Sequence, residues 1–228
     1  MLSDLLIIVP ARGGSKRLPG KNLKTLAGRP LLDYTADVIL GAGLANSRVL
    51  LTTDSPAIAE RGRAHDWLVP WLRPAHLAQD DSPTVDVVMH AVDWFAVWSG
   101  VDPAYVMVLQ PTSPLRGSEC LADAVAMLEG SSCAEAVVGM RRVDVPGGVL
   151  FRADADGFAE SVSMPGDLAP NGVVYLVRST ALREHHTLFP PRTMPLVMSS
   201  VTSIDIDTEF DWHVAEALLA IGSTEAEP

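Results

Sequence analysis

The sequence predicts an α/β fold, with a mostly parallel sheet covered by helices on both faces. Three observations carry this. Short apolar runs at Leu5–Val9, Arg48–Thr53 and Tyr105–Leu109 have the length and composition of strands buried on both sides. Stretches with helical spacing separate them, which is the alternation of a parallel sheet. At 228 residues, 48% hydrophobic and 20% charged, the chain is long enough for a full core and reads as a single domain over 1–228.

Leu5–Val9 is the first strand, and a glycine-rich basic loop follows it. Pro30–Leu40 has helical spacing at Leu32, Thr35, Ala36 and Ile39. Pro30 suits its first turn, and Gly41 and Gly43 end it. Arg48–Thr53 is the second strand. Ser55-Pro56 starts a helix to about Ala64, and Trp67–Pro70 is a short third strand. In Asp81-Ser82-Pro83 we expect Ser82 as N-cap of a longer helix whose buried stripe is Val85, Val88, Met89, Val92 and Phe95. Tyr105–Leu109 is a strand, Ser118–Leu128 a helix and Glu135–Val138 a strand. Residues 139–170 are turn-rich and break the rhythm, as expected of a short hairpin-like β insertion. Val173–Val177 resumes the sheet. Ile204–Asp207 ends a strand, and Asp207 or Thr208 caps a last helix to about Ile221.

The stretch Val9–Asn22, VPARGGSKRLPGKN, carries the chemistry. Glycines at 13, 14 and 20 let backbone N–H groups approach an anion. Arg12, Lys16, Arg17 and Lys21 add charge and, from arginine, a fork for phosphate oxygens. Residues 1–30 carry net +5 on a chain of −11, so a basic loop sits on an acidic protein and points to a small polyanion. The loop is not a P-loop, because Gly20-Lys21 is followed by Asn22, and it lacks G-x-G-x-x-G. A solvated basic turn is the competing reading.

Net charge argues against nucleic-acid binding. The apolar runs fall far short of the ~20 residues of a membrane helix. No signal peptide is visible, and the expected location is the cytoplasm. Cys120 and Cys133 lack metal-like spacing and read as packing residues of a reduced protein.

In open α/β sheets ligands sit beyond the carboxyl ends of strands. Four polar stretches fall there: Ala11–Asn22, Thr52–Ser55, Gln110–Arg116 and Asp205–Asp207. Two carboxylates one residue apart on a strand point to the same side, about 6.6 Å apart. Such hard oxygen ligands suit Mg²⁺ together with phosphate oxygens. The competing reading is helix capping by Asp207 with Asp205 on the surface. Gln110 could simply close a turn. Asp54 reads as a charge at a helix N-terminus, and Arg116 has no assigned role. His90 reads as a satisfied core histidine, and His185-His186 as solvated.

ARGGSKRLPGKN at 11–22, TTDS at 52–55, LRPAHLAQD at 72–80, HA at 90–91, LQPTSPLR at 109–116, PNGVVYL at 170–176 and SIDIDTEFDWHVAEALL at 203–219 run in order over nearly the whole chain. In these stretches the sequence resembles the N-acylneuraminate cytidylyltransferase family, the CMP-sialic acid synthetases. The resemblance implies a Rossmann-like three-layer nucleotidyltransferase fold. It also implies transfer of CMP from CTP to an acidic acceptor, with Mg²⁺ and release of pyrophosphate. By position, Ala11, Arg12, Gly13, Ser15, Lys16 and Lys21 would cradle the triphosphate, with Arg12 and Lys21 as the catalytic cations. Asn22 and Arg73 would help hold the nucleotide, and Asp80 and Thr84 would lie near the cytosine. Gln110 would face the acceptor, and Asp205 and Asp207 would ligate the metal. A homodimer is expected.

The sequence departs from the family at the acceptor end. An arginine usually precedes Pro-Asn-Gly, and here that residue is Ala169. The insertion is short, and only Arg141, Arg142 and Arg152 lie nearby. A buried carboxylate without a cation is costly. Two acceptors therefore stand side by side: a sialic-acid-like sugar, or a small phosphonate such as phosphonoformate. A non-catalytic nucleotide-binding protein is the reading from another class.

Overall fold

The structure, a computed structural model, describes residues 4–44, 48–143, 150–153, 159–162 and 168–224. Strand β1 (Leu5–Pro10) is followed by a two-stranded ribbon, β2 (Thr25–Leu26) and β3 (Arg29–Pro30), and by α1 (Leu31–Gly41). Then come β4 (Val49–Thr52), α2 (Pro56–Ala64), α3 (Thr84–Ser99), β5 (Tyr105–Val108), α4 (Glu119–Glu129) and β6 (Ala136–Arg142). A hairpin of β7 (Leu150–Ala153) and β8 (Ala159–Val162) leads to β9 (Leu168–Arg178), α5 (Ser179–His185), β10 (Thr193–Met198) and α6 (Glu209–Thr224).

Six strands form one sheet in the order β10-β6-β9-β5-β1-β4. β1 runs parallel to β4 and β5, and β10 parallel to β6, while β9 is antiparallel to both neighbours. The expected mostly parallel, three-layer α/β fold is what the chain adopts. Alternation along each strand splits the core. Ile7, Val9, Leu51 and Val137 pack on one face against Leu32, Ile58 and Leu121 of α1, α2 and α4. Leu6, Ile8, Leu50 and Val138 pack on the other against Val88 and Val92 of α3 and Leu182 of α5. Each such side chain contributes about 1.5–3 kcal/mol by leaving water. A third cluster joins Leu18 of the basic loop to Leu26, Leu31, Ile206 and Trp212, so the loop is anchored to the last helix.

Several elements differ from expectation. Trp67–Pro70 makes only an isolated bridge, Leu50 to Leu68; Asp66 has φ 59° and Pro70 has no N–H, which limits a ladder. Ser82 does not cap α3: its hydroxyl accepts from Gln79 N and donates to His76 O, closing the preceding turn. Ile204–Asp207 is an extended loop, tied to the sheet rim by Ile206 N–H donating to Thr112 O at 2.8 Å. The sixth strand is instead β10, whose half-buried Met194, Leu196 and Met198 alternate with exposed Pro195 and Val197 at the sheet edge. β6 and β9 stay paired out to Arg142–Leu168, so the regular sheet extends into the expected 139–170 insertion and the hairpin occupies a narrower stretch. Cys120 is buried and Cys133 exposed, so only the first is a packing residue; both are free thiols.

Candidate active site

The basic loop is shaped by bonds to its neighbours. Ala11 N–H donates to Thr52 O at 3.0 Å, holding the loop on the end of β4. Gly13 N–H donates to Asp54 Oδ1 at 2.7 Å, so Asp54 pins this loop, while the capping of α2 falls to the Ser55 hydroxyl. Asn22 Nδ2 donates to Arg12 O at 2.9 Å. Gly20 takes φ 67°, a left-handed conformation that glycine adopts without strain, and starts the tight turn Lys21–Leu23.

These bonds aim Arg12, Ser15, Lys16, Arg17, Lys21 and Asn22 into a cleft of about 540 Å³. Arg73, Asp80, Thr84, Gln110, Thr112, Asp205 and Asp207 line it too. Ala11 and Gly13 lie outside that lining, their backbones used to hold the loop. Thr112 and Gln79 also line the cleft and had no individual role assigned, and Arg17, named only among the loop cations, lines it as well. Arg17 was legible as a cation of the loop; Thr112 and Gln79 carried no signal of their own.

Ion pairs divide the cleft. On one side the Asp80 carboxylate accepts from Lys16 and Arg12, which hold its pKa below the usual range. On the other, Asp207 pairs with Arg17 at 2.9 Å and with Lys21 at 3.1 Å. Lys21 is buried, and its Nζ also donates to Ile206 O. Arg73 is buried beneath the cleft, donating to Thr52 O and to Thr52 Oγ1 at 3.1 Å. Burial pushes its pKa down to about 10, with Asp54 opposing and Arg12 reinforcing.

The cap of α6 decides between two readings of Asp207. Asp211 Oδ2 accepts from Asp207 N–H at 3.1 Å, Thr208 N–H at 2.7 Å and the Thr208 hydroxyl at 2.7 Å. Thr208 Oγ1 accepts in turn from Asp211 N–H at 3.3 Å. This is a reciprocal cap of the Thr-x-x-Asp type, and it leaves the Asp207 carboxylate to the cleft. Burial alone would raise the Asp211 pKa, but these bonds outweigh it and hold it low. The Thr208-Glu-Phe-Asp211 spacing made this cap legible in the sequence, although the reading did not use it.

Asp205 and Asp207 flank the fully buried Ile206 and both line the cleft, so the expected alternation holds without a strand ladder. Burial of the Asp205 carboxyl pushes its pKa up, and the like charge of Asp207 adds to this. A hydrogen bond from Thr112 and the charge of Lys21 act against it. The folded protein thus disfavours the ionised form. That cost is present above the folded pKa and vanishes below the ordinary aspartate value of about 3.9. Asp205→Asn in EDTA is expected to raise Tm at pH 7, with the gain shrinking as pH falls towards 3; calorimetric melts across pH check this.

Among the described residues no cluster of three or more metal-ligating side chains occurs. The Asp205/Asp207 pair fits an ion that takes one or two carboxylates and fills its shell from phosphate and water.

Gln110 lines the cleft beside Gly172. Its Oε1 lies against Gly172, where an added Cβ would stand 2.9 Å from that oxygen and 3.7 Å from Asp205 Oδ2. Gly172 has φ 77°, so backbone and space both demand glycine. Gly172→Ala is expected to cost about 1–2 kcal/mol in strain alone, read as a Tm lower by about 2–8 °C. His90 does not line the cleft. It packs edge-on to Trp71 at 5.0 Å, and its Nδ1 is buried without a hydrogen-bond partner, so it is packed but not satisfied as expected. Burial pushes its pKa down. His186 is exposed and lies 2.7 Å from Asp86 Oδ1.

Residues 6–146 match the sequence family described as cytidylyltransferase. The chain is 32% identical over 230 residues to the CMP-N,N'-diacetyllegionaminic acid synthase of Legionella pneumophila, covering 95% of this chain and 97% of that protein. It is 30% identical over 227 residues to the N-acylneuraminate cytidylyltransferase of Escherichia coli, covering 94% of this chain but 52% of that protein, so it spans about half that relative's length. It is 25% identical over 232 residues to the pseudaminic acid cytidylyltransferase of Campylobacter jejuni, covering 97% and 98%. Among solved structures, a CMP:2-keto-3-deoxy-manno-octonic acid synthetase complexed with CTP superposes with TM-score 0.68 at 19% identity, covering 96% of this chain and all of that one. At that identity the likeness speaks for the fold.

Proposed function

The chain belongs to the cytidylyltransferase family, and from that premise we propose that it transfers CMP from CTP to an acidic sugar of the sialic-acid type, releasing pyrophosphate. The observation that carries the reading is one cleft lined together by the cations Arg12, Lys16, Arg17 and Lys21 and by Gln110, Asp205 and Asp207. The relatives are named for sugar acids, which supports the sugar and gives no support to the phosphonate alternative.

Arg12, Ser15, Lys16 and Lys21 hold the triphosphate. Arg12 and Lys16 exchange the Asp80 carboxylate for phosphate oxygens as they do so. Asn22 and Arg73 support the nucleotide from below, and Asp80 and Thr84 border its base. Asp205 and Asp207 would hold Mg²⁺, which when bound neutralises charge on the phosphates. The acceptor lies against Gln110 and the bare backbone of Gly172. Its hydroxyl oxygen gives its proton to solvent and bonds to the α-phosphorus as the bond from that phosphorus to the bridging α–β oxygen breaks, in line. Lys21 and Arg12 stabilise the charge on departing pyrophosphate. Among the described residues no helix is long and apolar enough to cross a membrane. The reading carries a cytoplasmic homodimer that does not bind nucleic acid.

The test is pyrophosphate release with Mg²⁺ and CTP, UTP, GTP or ATP, against sialic-type sugars and small phosphonates. Release with CTP and a sialic-type sugar is expected. Preference for another nucleotide would sink the cytidylyl assignment, and turnover of a phosphonate alone would replace the acceptor. CTP binding without turnover of any acceptor would favour a binding protein.

A further inference from the structure

Arg116 is a buried cation of the rim that the reaction above does not use. Its guanidinium bonds to three backbone carbonyls. Nε donates to Ser113 O at 3.1 Å, Nη1 to Val173 O at 2.6 Å, and Nη2 to Gln110 O. Burial pushes its pKa down to about 10, with Cys120 and Asp205 opposing; burying a charge is expensive, and only the rigid arginine fork reaches three carbonyls at once.

Its location explains what those bonds hold. The β5–β9 ladder ends at Val108–Tyr175. Beyond that pair, Arg116 is the bridge, with Gln110 on one side and Val173 on the other. Val173 follows Gly172, whose backbone faces Gln110 Oε1 and Asp205. The same turn carries Thr112, whose carbonyl accepts Ile206 N–H and whose side chain bonds Asp205. One guanidinium therefore registers the glutamine and the glycine that form one end of the cleft.

We propose that Arg116 is a positioning residue for the acceptor half of the site, fixing the turn Gln110–Ser113 against β9 so that Gln110 and Gly172 form the acceptor seat. The acceptor part rests on the cytidylyltransferase reading.

The test compares Arg116→Lys, Gln110→Ala and the double variant with the native chain. CTP affinity is read by calorimetry, acceptor KM and kcat by pyrophosphate release, and backbone exposure by hydrogen exchange. For Arg116→Lys, CTP affinity is expected to hold, while acceptor KM rises about 10–100-fold, the scale of a misplaced orienting group. Exchange quickens only in 109–113 and 171–174. The double variant loses less than the product of the two single losses, because part of the Arg116 effect acts through Gln110 and the rest through Gly172. Additive losses, a parallel loss of CTP affinity, or an unchanged acceptor KM would overturn the proposal. If Arg116→Lys is insoluble, Arg116→Gln carries the same measurements; if neither folds, Arg116 supports the whole core and the proposal fails. If the native chain turns over no acceptor, the functional reading falls by itself. Exchange then decides: faster exchange confined to the two segments supports positioning, and uniform or unchanged exchange overturns it.

Discussion

Replacing Lys21 with alanine is expected to lower kcat by about 10²–10³-fold, the scale on which single preoriented groups stabilise transition-state charge. The ammonium is 8% exposed and held by Ile206 O and by Asp207 Oδ1 at 3.1 Å. It is thus fixed in a setting where water screens it little. Pyrophosphate gains its charge as it leaves, so the loss falls on kcat more than on KM. Steady-state kinetics with CTP varied separates the two, and a change confined to KM makes Lys21 a binding residue only. The substitution also strips a buried carbonyl of its donor, at about 1–3 kcal/mol of stability, so assays belong well below the variant's melting temperature.

Asp207→Ala is expected to abolish Mg²⁺-dependent turnover while leaving the fold intact. The fold survives because Thr208 and Asp211 cap α6 between them, and the Asp207 carboxylate takes no part. Its partners are Arg17 and Lys21, which also face the cleft. Removing it takes away one of two carboxylates suited to the metal and frees two cations. CTP binding measured in EDTA is therefore expected to persist. A magnesium titration of activity alongside circular dichroism checks both halves, and near-normal turnover would discard the metal assignment.

What was legible in the sequence was local. Leu5–Val9 and Tyr105–Leu109 are apolar runs, and such runs have few other places to go. The basic loop announced itself by charge and glycine content. The pair Asp205/Asp207 was visible by spacing, although the strand assigned to it was not formed. A single bond from Ile206 N–H to Thr112 O reproduces the alternation, because the fully buried Ile206 forces its neighbours outward. Ser82 misled because the same hydroxyl that suits an N-cap also closes a short turn, and the His76 carbonyl lay within reach.

By itself, then, the sequence determined the α/β class, five of the six strands of the central sheet and the basic, glycine-rich character of the loop after β1. These follow from hydrophobic periodicity and charge, which act within a few residues, whereas Ser15, Asn22, Arg73, Asp80 and Thr84 were expected in the cleft only from the family resemblance. Only the tertiary structure decided that Asp207 meets Lys21 and Arg17 in the cleft, that Asp54 serves the basic loop, that Gly172 must be bare against Gln110 and Asp205, and that Arg116 ties Gln110 to Val173. Each of those depends on groups tens to over a hundred residues apart meeting within about 3 Å, the range at which hydrogen bonds form.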